Sequence, residues 1–459
     1  MFTLIYTFVS FRSAFVLFGL YQIVFHIVLY FIILYCTVLM SNVKKYAAGS
    51  TPTHTNLKPQ KPTLCSPSPQ ISAMIPDYVA SAPGKALLAG GYLVLFPEFS
   101  GLSVALDSRV YAAAKRGQQP LVVECPQFAS EWKLPEDTRN PYLAAAYNVV
   151  SSYYGEPLTG KVTIWSDDGF HSQAGVTDPR LLKRFANHGK DITQVPKTGL
   201  GSSAAFVVAV VRGLVALRTD EVSLQTVHNL AQIAHCIAQG KIGSGFDVAT
   251  AVYGTILYTR FPAATIDACM PDAGGQLQTE LVRKCVDSAW DMSFSKQSLP
   301  DSVQLVLGDV AVGTKTTGMV KKVLSWKQNN PEASAALFSD LNAANQGLVR
   351  ALDANTDIKQ ALSAVRAQLQ RLTRESQVDV EPLSQSKRLD AASEISGVLG
   401  AVVPGAGGDD AVCLLVDSNV ASVEAVLAEL NKRVSDVSWM QLDADSTGLK
   451  SEPVQEFDW

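Results

Sequence analysis

The sequence lacks the features that mark nucleic-acid-binding, zinc-binding and disulfide-stapled proteins. Lys and Arg (38) do not outnumber Asp and Glu (42), the formal net charge is −4, and no long run of like charge occurs. Because binding to a nucleic-acid backbone needs a basic surface, we expect no nucleic-acid partner. The seven cysteines are scattered, odd in number and never spaced as CxxC. That usage argues against a zinc cluster and a disulfide framework, and favours a reducing, cytoplasmic location.

Charged residues make up only 17% of the chain, whereas 47% of its 459 residues are hydrophobic. A chain of this length and composition can bury a large core and divides into two or three domains. After residue 74 no repeat of fixed period stands out, and β-branched runs alternate with Ala- and Leu-rich stretches. The pattern is typical of a protein that mixes α and β structure.

The first 76 residues differ in composition from the rest. Residues 1–40 are hydrophobic, and the part from 14 to 40 carries no charge and exceeds the roughly 20 residues that cross a bilayer. Residues 41–76 are predicted to be a disordered linker rich in Pro, Ser and Thr. Two interpretations stay open: a membrane anchor, or a reading frame that begins too early, with Met74 as the true start. We favour the second, and a membrane partner is expected only if the segment is real.

The rest of the chain is predicted to form two domains. The first, residues 77–262, is expected to combine short strands with two long helices. The second, residues 300–445, is expected to contain a strand, three helices and a final strand–helix–strand unit. The polar stretch 262–300 is expected to be irregular. The predicted strands lie at 102–106, 121–124, 162–165 and 303–307, the helices at 202 onwards, 224–238, 317–327, 332–351 and 358–376, and the final unit at 411–442.

The segment 197–206, KTGLGSSAAF, leads from glycines directly into an apolar helix. Glycine lets the backbone approach phosphate oxygens, and the first N–H groups of a helix are unpaired and attract an anion. Ser202 and Ser203 add hydroxyls that can cap the helix or reach a phosphate-bound Mg²⁺. The segment therefore indicates a phosphate-binding loop, with an ordinary capped helix of the core as the alternative.

Two other segments strengthen that interpretation. The segment 81–92, SAPGKALLAGGY, places Lys85 in a Pro-Gly turn before an apolar strand. The segment 403–410, VPGAGGDD, places glycines ahead of the apolar strand AVCLLV. Each of them alone is also explained by a surface turn or a hairpin. Together with the loop at 197–206 they favour one phosphate site built from three segments.

In this order and spacing the three segments resemble the signature motifs of the GHMP kinases, which include galactokinases, homoserine kinases and mevalonate kinases. The resemblance covers residues 77–440. It implies an α+β, two-domain fold, with a ribosomal protein S5 domain 2-like N-terminal domain that binds ATP and a ferredoxin-like C-terminal domain. It also implies that the first motif forms an edge of the site, the second holds the ATP phosphates and the third closes over them.

A fourth segment narrows the resemblance to one branch of that superfamily. The residues 239–254, QGKIGSGFDVATAVYG, are similar to the active-site aspartate segment of fungal-type phosphomevalonate kinases, with Asp247 as the aspartate. Gly-Gly-Tyr ending at Tyr92 and the aspartate at Asp410 agree with that branch. Asp409 departs from it, because an apolar or aromatic residue is expected there.

The resemblance implies ATP and Mg²⁺ as cofactors and (R)-5-phosphomevalonate as acceptor, with 5-diphosphomevalonate and ADP as products in the mevalonate pathway of isoprenoid and sterol biosynthesis. Lys85 and Asp247 are the implied catalytic residues. Lys241 lies in the region where mevalonate kinases carry a Mg²⁺-binding glutamate, so metal ligation is expected to depend on phosphates, water and Ser203. The implied ATP contacts are Lys197, Thr198, Gly199, Leu200, Gly201, Ser202, Ser203, Ala204, Gly405, Gly407 and Gly408.

The segment 308–317, GDVAVGTKTT, imitates a P-loop but fails its pattern, because Thr314 and not lysine follows the second glycine. A strand end and helix start dense in hydroxyls can still bind a phosphate or carboxylate of the acceptor. A plain capped helix is the alternative. The candidate acceptor contacts are Tyr92, Ser244, Thr314, Lys315 and Thr316.

If the acceptor is a phosphate monoester, its second pKa is near 6, so the attacking oxygen is mostly ionised at neutral pH and needs no strong base. We therefore expect Lys85 to supply positive charge and Asp247 to orient Lys85 and the acceptor. A role in capping the following helix is the alternative for Asp247.

Two other functions stay open. One is a GHMP kinase that acts on mevalonate or a sugar, and the other is an inactive, kinase-derived sensor. The retained Lys85, Ser203 and Asp247 argue against the sensor, which could lose any of them. The four histidines that follow residue 74 show no metal-ligand spacing and are expected in core or surface roles; they are His171, His188, His228 and His235.

Overall fold

Two β-sheets and the helices packed on them form the framework of the computed structural model. It describes residues 75–171, 185–195, 197–271, 275–310 and 316–454, except the side chains of residues 193, 316 and 317. Residues 1–74, which include the predicted hydrophobic segment and most of the predicted linker, lie outside the described residues. In the described ranges, no helix is both long and apolar enough to cross a membrane.

Twelve strands are present in the described residues. Eight of them form the first sheet, and four form the second. The strands are β1 (Tyr78–Ala89), β2 (Gly101–Pro120), β3 (Val122–Cys125), β4 (Ser130–Lys133), β5 (Thr159–Ser166), β6 (Ile256–Thr259), β7 (Ser293–Lys296), β8 (Val303–Asp309), β9 (Val398–Val402), β10 (Ala411–Asp417), β11 (Ser438–Leu442) and β12 (Lys450–Ser451).

The first sheet has the order β12-β1-β2-β5-β3-β4, and β6 joins it by pairing with β2 and with β7. Its pairs are antiparallel except β3 with β5. The second sheet has the order β11-β8-β10-β9 and is antiparallel throughout. Strand β10, one of the two inner strands of the second sheet, is buried along five consecutive residues.

Eleven α-helices connect the strands in the described residues. They are α1 (Pro141–Tyr154), α2 (Ser202–Ala216), α3 (Leu224–Gln239), α4 (Phe246–Tyr253), α5 (Ala264–Asp267), α6 (Thr279–Asp287), α7 (Thr316–Asn329), α8 (Pro331–Ala354), α9 (Ile358–Ser376), α10 (Leu383–Ser393) and α11 (Val423–Arg433).

Helix α2 is buried between the first sheet and the helices around it. It contacts β1, β2, α1, α3 and α4, and its side chains from Ala204 to Ala216 are all buried. Small residues let it lie close to the sheet, since a Cβ on Gly213 would come within 3.0 Å of the Ala112 Cβ. A helix enclosed in this way holds its N-terminus at a fixed place against β1.

After the last strand of the second sheet, the chain returns to the first sheet. Ala444 forms a bridge with Leu106, and β12 pairs with β1. The buried Arg109 guanidinium fixes this return, because it donates to the carbonyl oxygen of Ser81 and pairs with the carboxylate of Asp445 at 2.7 Å. Buried charges of this kind are stable only when paired and fully hydrogen-bonded.

The predicted mixture of α and β structure is confirmed, and several details differ. The stretch 262–300, expected to be irregular, contains helices α5 and α6 and strand β7. Helices α1 and α10 and strand β9 were missed. Helix α10 has a mostly polar sequence, in which only Gln385, Leu389 and Ala392 are buried. Strands β7 and β12 belong to the first sheet, although they lie after residue 262, where the first domain is predicted to end. The domain boundaries at 262, 300 and 445 stay predictions.

Candidate active site

Lys85 is held against the glycine loop by a backbone hydrogen bond. Its N–H donates to the carbonyl oxygen of Leu200 at 2.8 Å. The register of β1 against β2 shifts between Pro83 and Lys85, which frees that N–H from the sheet. The sequence placed Lys85 in a Pro-Gly turn, but the residue lies inside the 12-residue strand β1, and the predicted turn is a bulge.

Gly84 makes the approach of the two segments possible. A Cβ at this position would lie 2.8 Å from Phe170 Cε1 and 2.9 Å from the carbonyl oxygen of Leu200. Both separations are too short for real contacts, so only glycine leaves room for the loop beside β1.

The Lys85 side chain lies over the glycine loop itself. Gly201 has φ of +78° and would place a Cβ 2.8 Å from both Cγ and Cε of Lys85. Helix α2 starts directly after it, so Ser202, Ser203 and Ala204 form its first turn. The N-cap residue is Gly201, which has no side chain to cap that turn. The Ala204 N–H donates to the Gly201 carbonyl oxygen at 3.2 Å, and the N–H groups of Ser202 and Ser203 at the start of the helix suit an anion beside the lysine.

The start of the loop is fixed to the segment before it. The Thr198 hydroxyl donates to the carbonyl oxygen of Gly169 at 2.6 Å, and the Thr198 N–H donates to Phe170 at 3.2 Å. Lys197 forms a β-bridge with His171, and its side chain is exposed. Gly199 has φ of +78° and an open side where a Cβ would meet nothing within 4 Å.

Asp247 approaches Lys85 from helix α4. It is the second residue of that helix, and its side chain is 24% exposed. The ring centre of the preceding residue, Phe246, lies 5.6 Å from Lys85 Nζ. Burial lowers the pKa of Lys85, and the charge of Asp247 opposes that shift. Lys85 as a whole residue is of intermediate exposure.

The third glycine segment closes on the end of β1. The Gly405 N–H donates to the carbonyl oxygen of Leu87 at 3.2 Å, and the Tyr92 hydroxyl donates to the carbonyl oxygen of Ala406 at 2.8 Å. A Cβ on Gly91 would collide with the Gly405 carbonyl oxygen. Strand β1 and the turn after it therefore contact both of the other motifs.

Gly407 and Gly408 shape the rest of this loop. Their φ angles are +76° and +91°, a region that favours glycine. The Gly408 N–H donates to the carbonyl oxygen of Val380 at 2.9 Å. As predicted, the loop leads directly into the buried strand β10.

Asp409, the departure from the family pattern, has partners outside the loop. It accepts a hydrogen bond from the Ser384 hydroxyl at 2.6 Å and lies 3.5 Å from the Arg388 guanidinium. Both partners belong to α10, so the carboxylate attaches the loop to that helix. A charged residue fits this position because its charge is neutralised there.

The five candidate acceptor residues lie in different parts of the chain. Tyr92 is 3% exposed, with its hydroxyl committed to the third loop. The Ser244 carbonyl oxygen accepts a hydrogen bond from Tyr258 at 3.0 Å, just before α4. Thr316 begins helix α7, whereas Thr314 and Lys315 lie outside the described residues. Contact with the acceptor stays a prediction for all five.

A cavity of about 220 Å³ opens beside the first turn of α2. Sequence reasoning missed most of its lining, because the segment that precedes α1 carries no nucleotide-binding signature. Among its lining residues are Arg139, Asn140, Tyr142, His171, Ser202 and Ser203.

His171 gives this cavity a neutral polar wall. Its side chain is 3% exposed, and burial, His188 and Lys197 together lower its pKa to about 4. Neither of its ring nitrogens has a hydrogen-bond partner within the described part of the chain. The buried position of His228 agrees with the predicted core or surface role, whereas His171, although buried, also lines this cavity.

His235 is a site residue that the sequence did not indicate. Its Nε2 lies 3.3 Å from Ser203 Oγ, and its Nδ1 lies 3.9 Å from Asp247 Oδ2. It was expected in a core or surface role, and it is buried, but its polar contacts are with two predicted site residues. The sequence could not indicate this role, because it depends on tertiary contacts. The spacing of residues in helix α3 does not reveal that His235 lies beside the start of α2.

The donor groups fit Mg²⁺ held mainly by phosphates. The described residues contain no group of three His, Cys, Asp or Glu side chains arranged to hold a metal. Mg²⁺ commonly keeps several waters and uses one or two protein oxygens together with substrate phosphates. Ser203 offers such an oxygen at the start of α2. Lys241, where mevalonate kinases carry a glutamate, is exposed beyond the end of α3.

Comparison with known proteins agrees with this geometry. The family described as the GHMP kinases N terminal domain matches residues 180–255, which hold the glycine loop and Asp247. The phosphomevalonate kinase of Candida albicans is 37% identical over 425 residues, which are 82% of this chain and 98% of that protein. The chain belongs to the phosphomevalonate kinase family of the GHMP kinases.

Other phosphomevalonate kinases extend the match. The enzyme of Gibberella zeae is 34% identical over 436 residues, covering 83% of this chain and 98% of that protein. The structure of Streptococcus pneumoniae phosphomevalonate kinase in complex with phosphomevalonate and AMPPNP superimposes with a TM-score of 0.61 at 18% identity, covering 80% of this chain and 99% of that one. The predicted two-domain GHMP kinase fold is thereby confirmed.

Proposed function

We propose that this protein transfers the γ-phosphoryl group of ATP to the phosphate of (R)-5-phosphomevalonate, which gives 5-diphosphomevalonate and ADP. The observation that supports it most is the meeting of three glycine-containing segments on one strand. The Lys85 backbone bonds to Leu200, its side chain covers Gly201, and the third loop bonds to Leu87. Glycine loops that expose their backbone beside the start of a helix suit the binding of a triphosphate.

ATP is assigned to the predicted N-terminal domain, 77–262. The phosphates lie at the first turn of α2, where unpaired N–H groups and the helix dipole favour negative charge. The cavity beside that turn takes the nucleoside, with Tyr142 and His171 among its walls. The third loop, in the predicted C-terminal domain at 300–445, closes the phosphate site through its glycines.

Lys85 stabilises the negative charge that spreads over the transferring group. Phosphoryl transfer needs in-line positioning and charge neutralisation more than covalent help from the protein. Burial lowers the pKa of Lys85, but the neighbouring charge of Asp247 opposes the shift and favours the ammonium form. A partly desolvated ammonium interacts with phosphate oxygens more strongly than one in water.

Asp247 orients the lysine and the acceptor. An acceptor phosphate has its second pKa near 6, so at neutral pH its oxygen is already ionised. That oxygen attacks the γ-phosphorus, the bond from the γ-phosphorus to the β-phosphate oxygen breaks, and ADP leaves. No proton has to be removed from the acceptor in this step, which makes an obligatory base unnecessary.

Mg²⁺, when bound to the nucleotide, neutralises phosphate charge and fixes the phosphate geometry. Ser203 is the protein group assigned to it. Tyr92, Ser244, Thr314, Lys315 and Thr316 stay the candidate contacts of the acceptor. Tyr92 also has a structural role, through its bond to Ala406.

The proposal is tested by a coupled assay of ADP release with purified protein, ATP and Mg²⁺. Phosphomevalonate, mevalonate and galactose are compared as acceptors. We expect phosphomevalonate to give a far higher kcat/KM than the two alcohols. A preference for mevalonate or galactose would overturn the assignment of the acceptor while keeping the GHMP kinase fold.

A further inference from the structure

One histidine connects the two halves of the candidate site. His235 lies near the end of helix α3, and its side chain is 4% exposed. Its Nε2 is 3.3 Å from the hydroxyl oxygen of Ser203, on α2. Its Nδ1 is 3.9 Å from the carboxylate of Asp247, on α4. A single rigid ring therefore lies between the group assigned to the metal and the group assigned to the acceptor.

A comparison within the same helix separates this residue from an ordinary core histidine. His228 is fully buried two turns earlier in α3, and its ring packs near Tyr253 and Trp290. Its Nδ1 lies 2.9 Å from the Oδ1 of the adjacent Asn229. His235 instead directs both ring nitrogens at site residues, so packing alone does not account for its orientation.

The contacts of His235 define which nitrogen carries the proton. A neutral imidazole has one donor and one acceptor nitrogen. A proton on Nδ1 faces the carboxylate of Asp247, and Nε2 then accepts a hydrogen bond. Two groups that can donate lie next to Nε2, namely the Ser203 hydroxyl at 3.3 Å and the Gln239 amide at 3.1 Å. The tautomer assigned from these partners is therefore the one with the proton on Nδ1.

In this tautomer His235 Nε2 offers the Ser203 hydroxyl an acceptor, which it shares with the Gln239 amide. A free serine hydroxyl rotates, and its proton can point toward a cation as easily as away from it. When the proton is donated to His235 Nε2, the lone pairs of the oxygen are left for another partner. Ser203 is in the first turn of α2, where the proposed function places the nucleotide phosphates and Mg²⁺.

We propose that His235 is a positioning residue that orients Ser203 for the Mg²⁺–nucleotide complex through Nε2. The inference rests on the proposed function, because it concerns the metal-bound nucleotide. Groups that orient a metal ligand commonly contribute 10–100-fold to metal affinity or activity. His235 acts through Ser203 and touches neither reacting atom.

Two substitutions test the roles of the two ring nitrogens separately. His235→Gln places an amide near the position of Nε2 and keeps an acceptor for Ser203. His235→Asn places an amide near the position of Nδ1 and removes that acceptor. His228→Gln is the matched control, since it removes a buried histidine from the same helix away from the loop.

The first measurement is the affinity for ATP with and without Mg²⁺, by calorimetry on the full-length protein. In wild type, we expect Mg²⁺ to strengthen ATP binding. We expect His235→Asn to lose about 10–100-fold of that gain while its affinity for metal-free ATP changes little. His235→Gln should keep most of the gain, and His228→Gln should keep all of it even if its Tm falls.

The second measurement is a double-mutant cycle on the same binding constants. If His235 acts through Ser203, then Ser203→Ala combined with His235→Asn should lose no more of the Mg²⁺-dependent gain than Ser203→Ala alone. Additive losses would overturn the inference. Because the cycle compares affinities of folded protein, a lower Tm in any variant does not imitate the result.

The two proposals fail in different ways. If wild type binds Mg²⁺–ATP and His235→Asn shows the same Mg²⁺-dependent gain, His235 is a core residue and the inference alone is wrong. If wild type binds no ATP with or without Mg²⁺, the proposed function is wrong and this inference falls with it.

Discussion

The backbone N–H of Lys85 donates to the carbonyl oxygen of Leu200 across 2.8 Å. The bond joins strand β1 to the glycine loop that precedes helix α2, at the point where the register of β1 against β2 shifts between Pro83 and Lys85. The side chain of the same lysine then covers Gly201. The positive charge of the first motif and the phosphate loop of the second are consequently held as one unit.

Gly84→Ala should disturb that unit. Its Cβ would come 2.9 Å from the Leu200 carbonyl oxygen, and relief of such overpacking typically costs about 1–3 kcal/mol. We expect urea unfolding to show lower stability and steady-state kinetics to show a lower kcat/KM. Gly347→Ala, in α8, is the control, because its Cβ would meet only an Arg350 nitrogen at 4.0 Å. Wild-type stability and kinetics in Gly84→Ala would show that the loop is not held by this approach.

Lys85→Met should act on catalysis and not on folding. It keeps the bulk of the side chain and removes the charge, so kcat should fall by about 10²–10³-fold. Burial already disfavours the ammonium form of Lys85, so the free energy of unfolding should not decrease. Lys115→Met is the control, since Lys115 pairs with Asp77 away from the site and should keep wild-type kcat. A wild-type kcat in Lys85→Met would mean that the active site is wrongly placed.

Asp247→Asn distinguishes an orienting role from an obligatory base. The amide keeps the shape of the side chain and part of its hydrogen bonding. If Asp247 orients, activity should fall only in part, and the residual rate should rise with pH around the acceptor's second pKa near 6. If Asp247 were the base, activity should collapse and show no recovery as the acceptor ionises. The measurement is kcat/KM against pH for both proteins.

Much of this site could be predicted from the sequence, because its motifs are local. The glycine loop, the start of α2 and the position of Asp247 follow from neighbouring residues whose backbone roles are specific. Lys85 was placed in a turn because Pro83 and Gly84 favour one. The bulge that occurs instead depends on Leu200, which is distant in sequence and invisible to local propensity.

The residues that were missed depend on tertiary contacts. Arg139 and Tyr142 line the cavity because α1 packs beside α2 and α3, a relation that no spacing in the chain reveals. His235 resembles His228 as a buried residue of an amphipathic helix, and only the position of α2 makes them different. The same reason explains the error at 262–300, where α6 is stabilised by contacts with α1 and α3.

Two buried histidines should make the fold sensitive to acid. Burial lowers the pKa of His228 and that of His171 to about 4, whereas an unfolded histidine titrates near 6.5. The unfolded chain therefore binds more protons between these values, and the stability that each neutral histidine contributes is present above 6.5 and lost as pH falls toward 4. Each should contribute a slope of about 1.4 kcal/mol per pH unit in that window.

His228→Gln isolates one of these contributions. Urea unfolding at pH 6 and pH 5 should show wild-type stability falling between the two, and the variant should show a slope smaller by about 1 kcal/mol per pH unit. An unchanged slope would mean that His228 is not held neutral by its surroundings.

Phosphorus NMR of the reaction mixture tests the central proposal most directly. Purified protein is incubated with ATP, Mg²⁺ and (R)-5-phosphomevalonate, and the Lys85→Met variant serves as the parallel sample. We predict that the monophosphate signal of the acceptor is replaced by the two coupled signals of a diphosphate as ADP accumulates, and that the variant forms this product about 10²–10³-fold more slowly. Phosphorylation at any other oxygen of the acceptor, or ADP without a new diphosphate, would contradict the account.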